Sequence, residues 1–371
     1  MNAFDLDTPA VLVDAATLRS NIQRMQQLAI GFGVRLRPHV KTHKSPEIAR
    51  LQLEAGAAGI TVAKVGEAEV MADAGLEDIF IANQIVGDAK MRRLRELAMR
   101  ARIAVLVDSE PGLRQLEDAY RDSETVLDVL IEVDTGKGRC GLTEIGDIAR
   151  LADRVADARH VRLRGVETHE GHVPVGARGP EDLRNRAIEA GRRLVEVAQA
   201  LRANGHAVDD LTVGSTPAAP YTASVAGITE MRPGTYVFND VNQMAIDQAT
   251  PGDCALSILA TVISRPAQGR AVLDAGSKSL FAEPARRAFG LPDYDGFGYV
   301  RECPDARILN LSEEHGVVNI PPGVSFPPIG EKVRIIPNHV CPAVNLHEQL
   351  HIVEGDEVVA VWPIAARRRV R

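Results

Sequence analysis

Aromatic residues are scarce in this sequence: eight phenylalanines, five tyrosines and one tryptophan make up 4% of the 371 residues. A protein that stacks the bases of single-stranded nucleic acid needs an aromatic surface, so this class of partner is disfavoured. Positive charge is not in surplus either, because the formal net charge is −7, and this disfavours binding to any polyanion. The apolar runs are too short to span a bilayer, so we expect no membrane association.

Cysteine is also rare, and the four cysteines are far apart in the chain: Cys140, Cys254, Cys303 and Cys341. This spacing is not that of a small secreted protein built on disulfides. The N-terminal stretch MNAFDLDTPAVLVD lacks the basic and apolar regions of a secretory signal. We therefore expect a cytoplasmic protein.

From residue 10 onward, short β-branched runs alternate with amphipathic stretches rich in alanine, leucine and arginine. This alternation is typical of a parallel sheet covered by helices. About eight such units fit a (β/α)8 barrel of roughly 250 residues, and an open doubly wound sheet is the alternative. No GxGxxG motif follows the first strand, which disfavours a dinucleotide-binding sheet. The predicted strands cover residues 10–14, 34–37, 59–63, 78–83, 102–108, 126–134, 161–169 and 210–215, and the predicted helices cover 15–31, 45–55, 65–74, 88–101, 143–157 and 180–204.

After about residue 245 the pattern changes, because glycine and proline become frequent and helical stretches largely disappear. The segments that read as strands there are ALSILATVISR, GRAVLDAG, KVRIIPNHVC, LHIVEG and EVVAVWPI. We therefore predict a barrel domain over residues 1–245 and a β-rich domain over residues 246–371. The N-terminal strand is a candidate to join the second domain.

The stretch RLRPHVKTHK, residues 35–44, gathers six side chains that are cationic or can become so. A solvated surface patch is one interpretation. Apolar residues interrupt the run, however, and alternate residues of an extended strand share one face. The residues on that face would be Arg35, Arg37, His39, Lys41 and His43. We therefore predict the end of a strand that faces an anionic group.

Further polar motifs follow predicted strands, where the active site of a parallel barrel lies. They are EVDTGKGRCGL, VETHEGH, and VGSTPAA together with RPGTYVFND. In VGSTPAA, a glycine turn with the hydroxyls of Ser215 and Thr216 at a helix start could hold a phosphate. A capped turn without a ligand is the alternative interpretation.

In combination these motifs resemble the fold-type III pyridoxal-phosphate enzymes, which are alanine racemase-like proteins. Within that group the chain is similar to the D-serine dehydratase/D-threonine aldolase family over nearly its whole length. The resemblance implies pyridoxal phosphate as cofactor and Lys41 as the lysine that holds it in a Schiff base. The matching segments are DTPAVLVD, RPHVKTHK, THEG, VGSTP, RPGTYVF, LDAG, SEEHG, PNHVCPAVNL and VWP.

The resemblance also implies how other residues contact the cofactor. His169 matches a histidine packed near the pyridine ring, and Arg139 matches an arginine near the phenolic oxygen. Lys41 must be neutral to attack the aldehyde, and the nearby positive charge would lower its pKa. Tyr236 either lines the site or packs in the core, and Lys44 reads as a surface or helix-start residue. The residues that match the phosphate loop and its second contact are Gly214, Ser215, Thr216, Gly234 and Thr235.

The motif PNHVCPAVNL contains His339 and Cys341. On a strand these two residues would point to the same face and could bind one metal ion. An isolated H-x-C pair is usually not a metal site, but here it matches the family's metal pair. An imidazole with a thiolate suits zinc, and manganese or magnesium is the alternative. Two protein ligands leave positions for water and substrate, as in catalytic metal sites.

Together these implications predict a pyridoxal-phosphate- and metal-dependent lyase that acts on small β-hydroxy-D-amino acids. The His-x-Cys pair resembles the dehydratase branch, so the main prediction is dehydration of D-serine, or of a related 3-hydroxy-D-amino acid, to a 2-oxo acid and ammonia. Retro-aldol cleavage, as in D-threonine aldolases, is the alternative. A non-catalytic pyridoxal-phosphate-binding protein and a racemase are remoter alternatives, which the metal pair disfavours. The resemblance also implies a homodimer.

Overall fold

The computed structural model describes residues 1–285, 289–291 and 294–371. Within those residues the strands form two sheets, one of eight parallel strands and one of nine strands in mixed orientation. The parallel sheet has the predicted alternation of strand and helix, and the second sheet contains all the described strands after residue 255. The predicted fold class, a (β/α)8 barrel with a β-rich C-terminal part, is therefore confirmed.

The barrel is a ring of short parallel strands. Strands are numbered in chain order, and β1 (Ala10–Asp14) lies outside the barrel. The barrel strands are β2 (Arg35–Leu36), β3 (Ile60–Val62), β4 (Asp78–Gln84), β5 (Arg102–Val107), β6 (Leu127–Glu132), β7 (Val161–Thr168), β8 (Asp210–Val213) and β9 (Glu230–Met231). Their order is β2-β9-β8-β7-β6-β5-β4-β3, and a parallel bridge between His39 and Thr61 completes the ring. All carboxyl ends therefore open on one side, where barrel enzymes place their active sites.

All six predicted helices are present, and their ends lie within a few residues of the predicted ones. The structure also has helices that the sequence did not predict, and α5 is the longest of them in the described residues. In the described part of the chain, no helix is long and apolar enough to cross a membrane. The helices are α1 (Ala15–Phe32), α2 (Pro46–Glu54), α3 (Val65–Asp73), α4 (Asp88–Ala98), α5 (Glu110–Tyr120), α6 (Ile145–Asp157), α7 (Pro180–Ala203), α8 (Ala219–Thr222), α9 (Val241–Met244), α10 (Ser277–Leu280) and α11 (Val340–Leu346).

The second sheet is centred on β1 and β10, which pair antiparallel with Ala10 opposite Leu259. Strand β1 also pairs in parallel with β16, so the N-terminal strand belongs to this sheet. The predicted strand at residues 10–14 therefore exists but is not a barrel strand, and β9 takes the eighth place in the ring. The strands after the barrel are β10 (Leu256–Ala267), β11 (Arg270–Leu273), β12 (Tyr299–Val300), β13 (Arg307–Leu311), β14 (Gly316–Asn319), β15 (Lys332–Ile336), β16 (Gln349–Glu354) and β17 (Glu357–Pro363).

The passage from β1 into α1 shows how local chemistry starts and ends these elements. The Asp14 carboxylate accepts a hydrogen bond from the Thr17 N–H at 2.7 Å, which satisfies one of the free donors at the helix start. Gly33 ends the helix in the left-handed region, with φ of 66°. Because β1 leaves the second sheet directly into a helix of the barrel, the first helix connects the two parts of the molecule.

Candidate active site

A cavity of about 810 Å³ lies between the carboxyl ends of the barrel strands and the start of α11. It brings together most of the residues that the sequence singled out. Arg139 lies instead in an adjoining cavity, and the side chain of Tyr236 lies in the core. The predicted site residues that line the larger cavity are Lys41, His169, Gly214, Ser215, Thr216, Gly234, Thr235, His339 and Cys341.

Lys41 lies in a single 3₁₀ turn, Val40–Thr42, and not on a strand. Strand β2 ends at Leu36, but the backbone stays extended and paired as far as His39, whose N–H donates to the Pro233 carbonyl at 3.0 Å, and the turn begins only at Val40. The His39 ring accepts a hydrogen bond from the Lys41 N–H at 3.4 Å, which fixes the turn. The prediction of one extended strand with all cations on one face is therefore wrong.

The other cations of this stretch point to different places. Arg37 is only 1% exposed, and its guanidinium contacts Asp78 at 2.7 Å and Glu230 at 3.0 Å. Lys44 is buried and pairs with the Glu67 carboxylate, so the surface alternative is wrong, whereas the helix-start alternative holds because Lys44 directly precedes Ser45, the N-cap of α2. Buried charges of this kind need partners, which explains why acidic residues surround them. Only part of the charge in RLRPHVKTHK therefore faces the cavity.

The pKa of the Lys41 amine is lowered, chiefly by burial. The positive charges of Arg139 and Arg232 lower it further, whereas Cys341 and Glu67 act in the opposite direction. The lowered pKa favours the neutral, nucleophilic amine that the sequence argument required. Burial is the main cause, and neighbouring charge comes second.

The two histidines beside Lys41 are neutral. Burial lowers the pKa of His39 well below its ordinary value, and burial together with the Lys41 charge lowers that of His169 to about 3. The Nδ1–H of His169 donates to the Gly214 carbonyl, so its Nε2 keeps a lone pair. These rings therefore offer flat neutral surfaces and acceptors, not positive charge.

A second cavity of about 200 Å³ adjoins the first and shares His39, Lys41, His169 and Arg232 with it. Arg139 lines this smaller cavity, with its guanidinium 3.5 Å from the Glu132 carboxylate. The structure therefore places Arg139 beside Lys41 and His169, although it is separated from the phosphate-loop residues.

Arg232 is a buried cation that connects the two cavities. Its Nε donates to the Thr212 hydroxyl at 2.9 Å, and its Nη2 pairs with the Glu167 carboxylate. The guanidinium carbon lies 5.3 Å from the centre of the Phe80 ring. Burial raises the pKa of Glu167 to about 7, although Arg232 acts against this shift. These contacts fix the orientation of Arg232 with its charge towards the cavities.

The peptide of Gly214 is held from both sides. Its N–H donates to Glu170 at 2.8 Å, and its carbonyl accepts from His169. A Cβ at this position would lie 3.1 Å from the Arg232 guanidinium, so the loop passes close to that cation. The N–H of Gly214 is therefore already used within the protein, and the phosphate contacts of this loop must come from its other groups.

Thr216 and Tyr236 connect the loop to the next strand end. The Tyr236 N–H donates to the Thr216 hydroxyl at 3.2 Å, while the Tyr236 ring is buried and its hydroxyl accepts from Gln52 at 2.9 Å. Of the two interpretations of Tyr236, the structure places the side chain in the core. A Cβ on Gly234 would lie 2.8 Å from the His39 carbonyl and 2.9 Å from the Thr42 hydroxyl, so no side chain fits there.

The pair His339 and Cys341 lies at the start of a helix, which corrects the prediction of a strand. Strand β15 ends at Ile336, His339 is the N-cap of α11, and Cys341 lies in its first turn. Asp240 enforces this start, because its carboxylate accepts the Val340 N–H at 3.0 Å. The two side chains still converge on the cavity, although not through strand alternation.

Contacts around the pair prepare it to act as a ligand set. The Nδ1–H of His339 faces the Glu283 carboxylate at 2.7 Å. Burial lowers the pKa of this imidazole, but Cys341, Asp240 and Glu283 outweigh burial and raise the pKa to about 9, so Nε2 must lose a proton before it can bind a metal. The Sγ of Cys341 lies 3.2 Å from the Thr42 hydroxyl and 3.8 Å from that of Thr235. Burial raises the pKa of its thiol, but the contact with His339 outweighs burial and lowers the pKa. An imidazole beside a thiolate is a donor set for a divalent metal ion.

Comparison with known proteins gives consistent matches over the whole chain. The model of the alanine racemase N-terminal domain matches residues 13–241, and that of a putative serine dehydratase domain matches residues 255–353. D-Threonine aldolase from Arthrobacter sp is 39% identical over 98% of this chain and 93% of its own length. The D-threo-3-hydroxyaspartate dehydratase of Delftia sp. (strain HT23) is 35% identical over 96% of this chain and 97% of its own. The chain belongs to this family of lyases.

Structural similarity is equally extensive. The D-threonine aldolase from Filomicrobium marinum superposes with a TM-score of 0.90 at 34% identity, covering 99% of this chain and 97% of that one. An alanine racemase from Bacillus anthracis has a TM-score of 0.70 at 17% identity, which shows a shared fold alone. The resemblance to the D-serine dehydratase/D-threonine aldolase family, with its fold-type III barrel, is confirmed, and so is the prediction of a lyase.

Sequence reasoning missed several residues of this family member's site. Arg232 and Asp240 lie at the two ends of RPGTYVFND, a motif that had been singled out, and charged residues inside such a motif were the available signal. Glu283 lies in no quoted motif, and its role appears only when the chain is folded. His39 was counted as a cation, although burial keeps it neutral.

Proposed function

We propose that this protein is a pyridoxal-phosphate- and divalent-metal-dependent lyase of β-hydroxy-D-amino acids. The observation that carries the proposal is that Lys41 lines the same cavity as His339 and Cys341. A nucleophilic amine and a pair of metal ligands can then act on one small substrate. In a β-hydroxy amino acid, the Cα–H and the β-hydroxyl are close enough to be reached from the two sides.

The barrel side of the cavity fits pyridoxal phosphate. Lys41 forms no ion pair with any residue in the described ranges, and its pKa is lowered, so it is available to an aldehyde. Gly214 and Gly234 line the cavity at positions where a Cβ would crowd Arg232 or the His39 carbonyl, and Ser215 lines the cavity next to Gly214. When bound, the cofactor supplies an electron sink at Cα. We propose that Arg139, His169, Gly214, Ser215, Thr216, Gly234, Thr235 and Tyr236, the last through its backbone, surround it.

The opposite side fits a divalent metal, which we propose His339 and Cys341 hold. Imidazole and thiolate favour zinc, with manganese or magnesium as alternatives. When bound, the ion supplies a Lewis acid for the β-hydroxyl. A Cys-to-Ala variant of the Delftia dehydratase has been solved in a form described as metal-free, which supports a metal in this family.

Lys41 is also the residue placed to move the substrate proton. Released from the cofactor, its neutral amine would accept the Cα proton at Nζ. It reaches the cavity from one turn, so it serves one face of the substrate and one enantiomer. The related D-threonine aldolase and D-serine dehydratase are both named for D-amino acids, which supports the D enantiomer.

Two reactions of the substrate remain possible, dehydration and retro-aldol cleavage of the Cα–Cβ bond, and we propose dehydration as the main one. The solved variants of the Delftia dehydratase replace a histidine and a cysteine two positions apart, which is the spacing of His339 and Cys341. Retro-aldol cleavage is the second candidate, because the Arthrobacter D-threonine aldolase is the 39% identical relative. Dehydration gives a 2-oxo acid and ammonia, whereas cleavage gives glycine and an aldehyde.

Product analysis tests the proposal. The loaded enzyme is incubated with D-serine, D-threonine and D-threo-3-hydroxyaspartate, and 2-oxo acid, ammonia, glycine and aldehyde are measured. We expect 2-oxo acid and ammonia in equal amounts, no cleavage of D-alanine, which lacks a β-hydroxyl, and no turnover of L-serine. Glycine as the main product from D-threonine would replace dehydration with the second candidate. Equal turnover of L-serine would contradict the stereochemical argument.

The remaining expectations are also part of this proposal. We propose a cytoplasmic homodimer in which residues 1–245 carry the cofactor and residues 246–371 the metal. The four scattered cysteines, all free in the structure, support a reducing compartment. The homodimer rests on analogy with other fold-type III enzymes, and light scattering of the purified protein tests it.

A further inference from the structure

Two hydroxyls from the barrel reach the sulfur of Cys341. Thr42 Oγ1 lies 3.2 Å from Sγ and Thr235 Oγ1 lies 3.8 Å away. A thiolate that binds a metal has no proton, so in that state the hydroxyls must donate and the sulfur must accept. The shorter contact, from Thr42, is therefore a hydrogen bond from the barrel to a proposed metal ligand of the second sheet.

The position of Thr42 is strongly constrained. The residue is 0% exposed, and its hydroxyl would lie only 2.9 Å from a Cβ on Gly234, so the backbone of that glycine packs against it. Thr42 also follows Lys41 in the chain, within the same 3₁₀ turn Val40–Thr42. A shift of the Cys341 sulfur is therefore transmitted to the turn that carries Lys41.

We infer that Thr42 is a positioning residue that joins the metal ligand Cys341 to the turn of Lys41, so that metal binding and the cofactor site affect each other. The inference rests on the proposed function, because it assumes that His339 and Cys341 hold the ion. A hydroxyl that donates to a thiolate stabilises its negative charge and fixes its direction. Loss of such an outer hydrogen bond typically weakens metal binding by about 10–100-fold.

Cobalt(II) is a suitable probe, since a thiolate bound to it gives a charge-transfer absorption band. The chelated protein, with its pyridoxal phosphate in place, is titrated with cobalt, and the affinity, the thiolate band and the cofactor band are recorded. In Thr42→Val we expect an affinity about 10-fold lower. The thiolate band should move to longer wavelength, because the sulfur electrons are no longer stabilised by the hydroxyl.

The cofactor band gives the readout that a merely structural role would not move. In the wild type we expect cobalt to shift this band, and in Thr42→Val we expect the shift to become smaller. Thr42→Ser keeps the hydroxyl and should restore all three properties. Thr61→Val is the matched control, because it removes a buried barrel hydroxyl that donates to the Arg37 carbonyl at 2.9 Å and should leave the thiolate band in place.

The outcomes separate this inference from the proposed function. If the wild-type protein gives no cobalt–thiolate band that Cys341→Ala removes, the metal assignment fails, and the inference fails with it. If that band is present but Thr42→Val matches the wild type in band position and in cofactor response, only the inference is overturned. If Thr42→Val does not fold, Thr42→Ala is measured in the same way, and its agreement with the wild type overturns the inference equally.

Discussion

The barrel side of the cavity is formed by the ends of consecutive strands, whereas the opposite side is a helix start held by side chains from distant parts of the chain. On the barrel side, His169 and Glu170 follow β7 and hold the Gly214 peptide after β8. On the other side, His339 and Cys341 depend on Asp240, Glu283 and Thr42. Contacts between neighbouring strand ends therefore fix the proposed cofactor side, and contacts from distant segments fix the proposed metal side.

This difference implies that the two functions can be separated by mutation. A substitution on the metal side removes one contact of a helix start and leaves the barrel strands intact. A substitution of Lys41 would remove the proposed cofactor attachment without changing a residue of α11. Because stability is distributed unevenly in a folded protein, we expect the metal side to be the one that is lost more easily.

The largest effect is expected for Lys41→Ala. The variant should lose lyase activity and the visible absorption band of the attached cofactor. Lys41 and Lys137 are the described lysines that line the cavity, and Lys137 is exposed and does not line the smaller cavity that Lys41 shares with Arg139. Metal analysis should show the ion retained, and Lys278→Ala, at an exposed lysine paired with Glu313, serves as control. A Lys41→Ala variant that keeps the covalently attached cofactor would remove Lys41 from its proposed role.

The next largest effect is expected for the metal pair. His339→Ala and Cys341→Ala should each lose the ion and lower turnover by about 10²–10³-fold, the usual cost of removing a group that stabilises developing charge. The cofactor band should persist, at the position it has in the metal-free protein, because the Lys41 attachment is intact. Cys303→Ala, at a buried cysteine that donates to the Ser325 carbonyl at 3.3 Å, should keep the metal. Full metal occupancy in either variant would show that the ligands lie elsewhere.

A smaller effect on metal binding is expected when a residue that contacts His339 or Cys341 is replaced on its own. Glu283→Gln removes the charge opposite the His339 Nδ1–H and should lower metal affinity by about 10-fold. Chelator competition measures this affinity, and Glu313→Gln, at an exposed position, is the control. If Glu283→Gln binds the metal as tightly as the wild type, the carboxylate has no part in orienting His339.

Asp240→Asn tests the helix start itself. The carboxylate accepts from both the Val340 and the Gln243 N–H, at 3.0 Å each, and asparagine keeps only one acceptor oxygen. We expect a loss of about 1 kcal/mol in the free energy of unfolding, measured by urea denaturation of the metal-free protein. Unchanged stability would mean that the start of α11 is determined by other contacts.

The same difference explains how much of the site could be predicted from the sequence. Lys41, His169 and Gly214 lie in short motifs after strands, so the order of the chain already placed them at one end of a barrel. Around the metal pair, Glu283, Asp240 and Thr42 lie 56, 100 and 299 positions from the residues they contact, which are His339, Val340 and Cys341 respectively. No local pattern relates residues so far apart, and only the folded chain shows that they meet.

Predictions of local conformation were wrong where tertiary contacts overrode the pattern. RLRPHVKTHK alternates like a strand, but the extended backbone lasts only as far as His39, and the 3₁₀ turn Val40–Thr42 follows. PNHVC directly follows β15 and was expected to extend it. Instead the Asp240 carboxylate accepts a hydrogen bond from the Val340 N–H, and α11 starts there. In both cases the side chains still reach the cavity, so these residues lie together as expected although their predicted backbone geometry was wrong.

The smallest expected effect is a shift in the pH at which the Lys41 amine becomes neutral. The two sides of the cavity are expected to move this pH in opposite directions. Burial lowers the pKa of this amine, the Arg139 charge from the barrel lowers it further, and Cys341 from the other side raises it. The amine reacts with an aldehyde only when neutral, so the rate at which cofactor-free protein takes up pyridoxal phosphate should rise with pH through a midpoint below the ordinary lysine value of 10.5. Arg139→Gln should move this midpoint up and Cys341→Ala should move it down, whereas Arg100→Gln, at an exposed arginine paired with Asp73, should not move it. Stopped-flow absorbance at a series of pH values gives the midpoints, and shifts of the same sign in the first two variants would contradict the opposed action of the two sides.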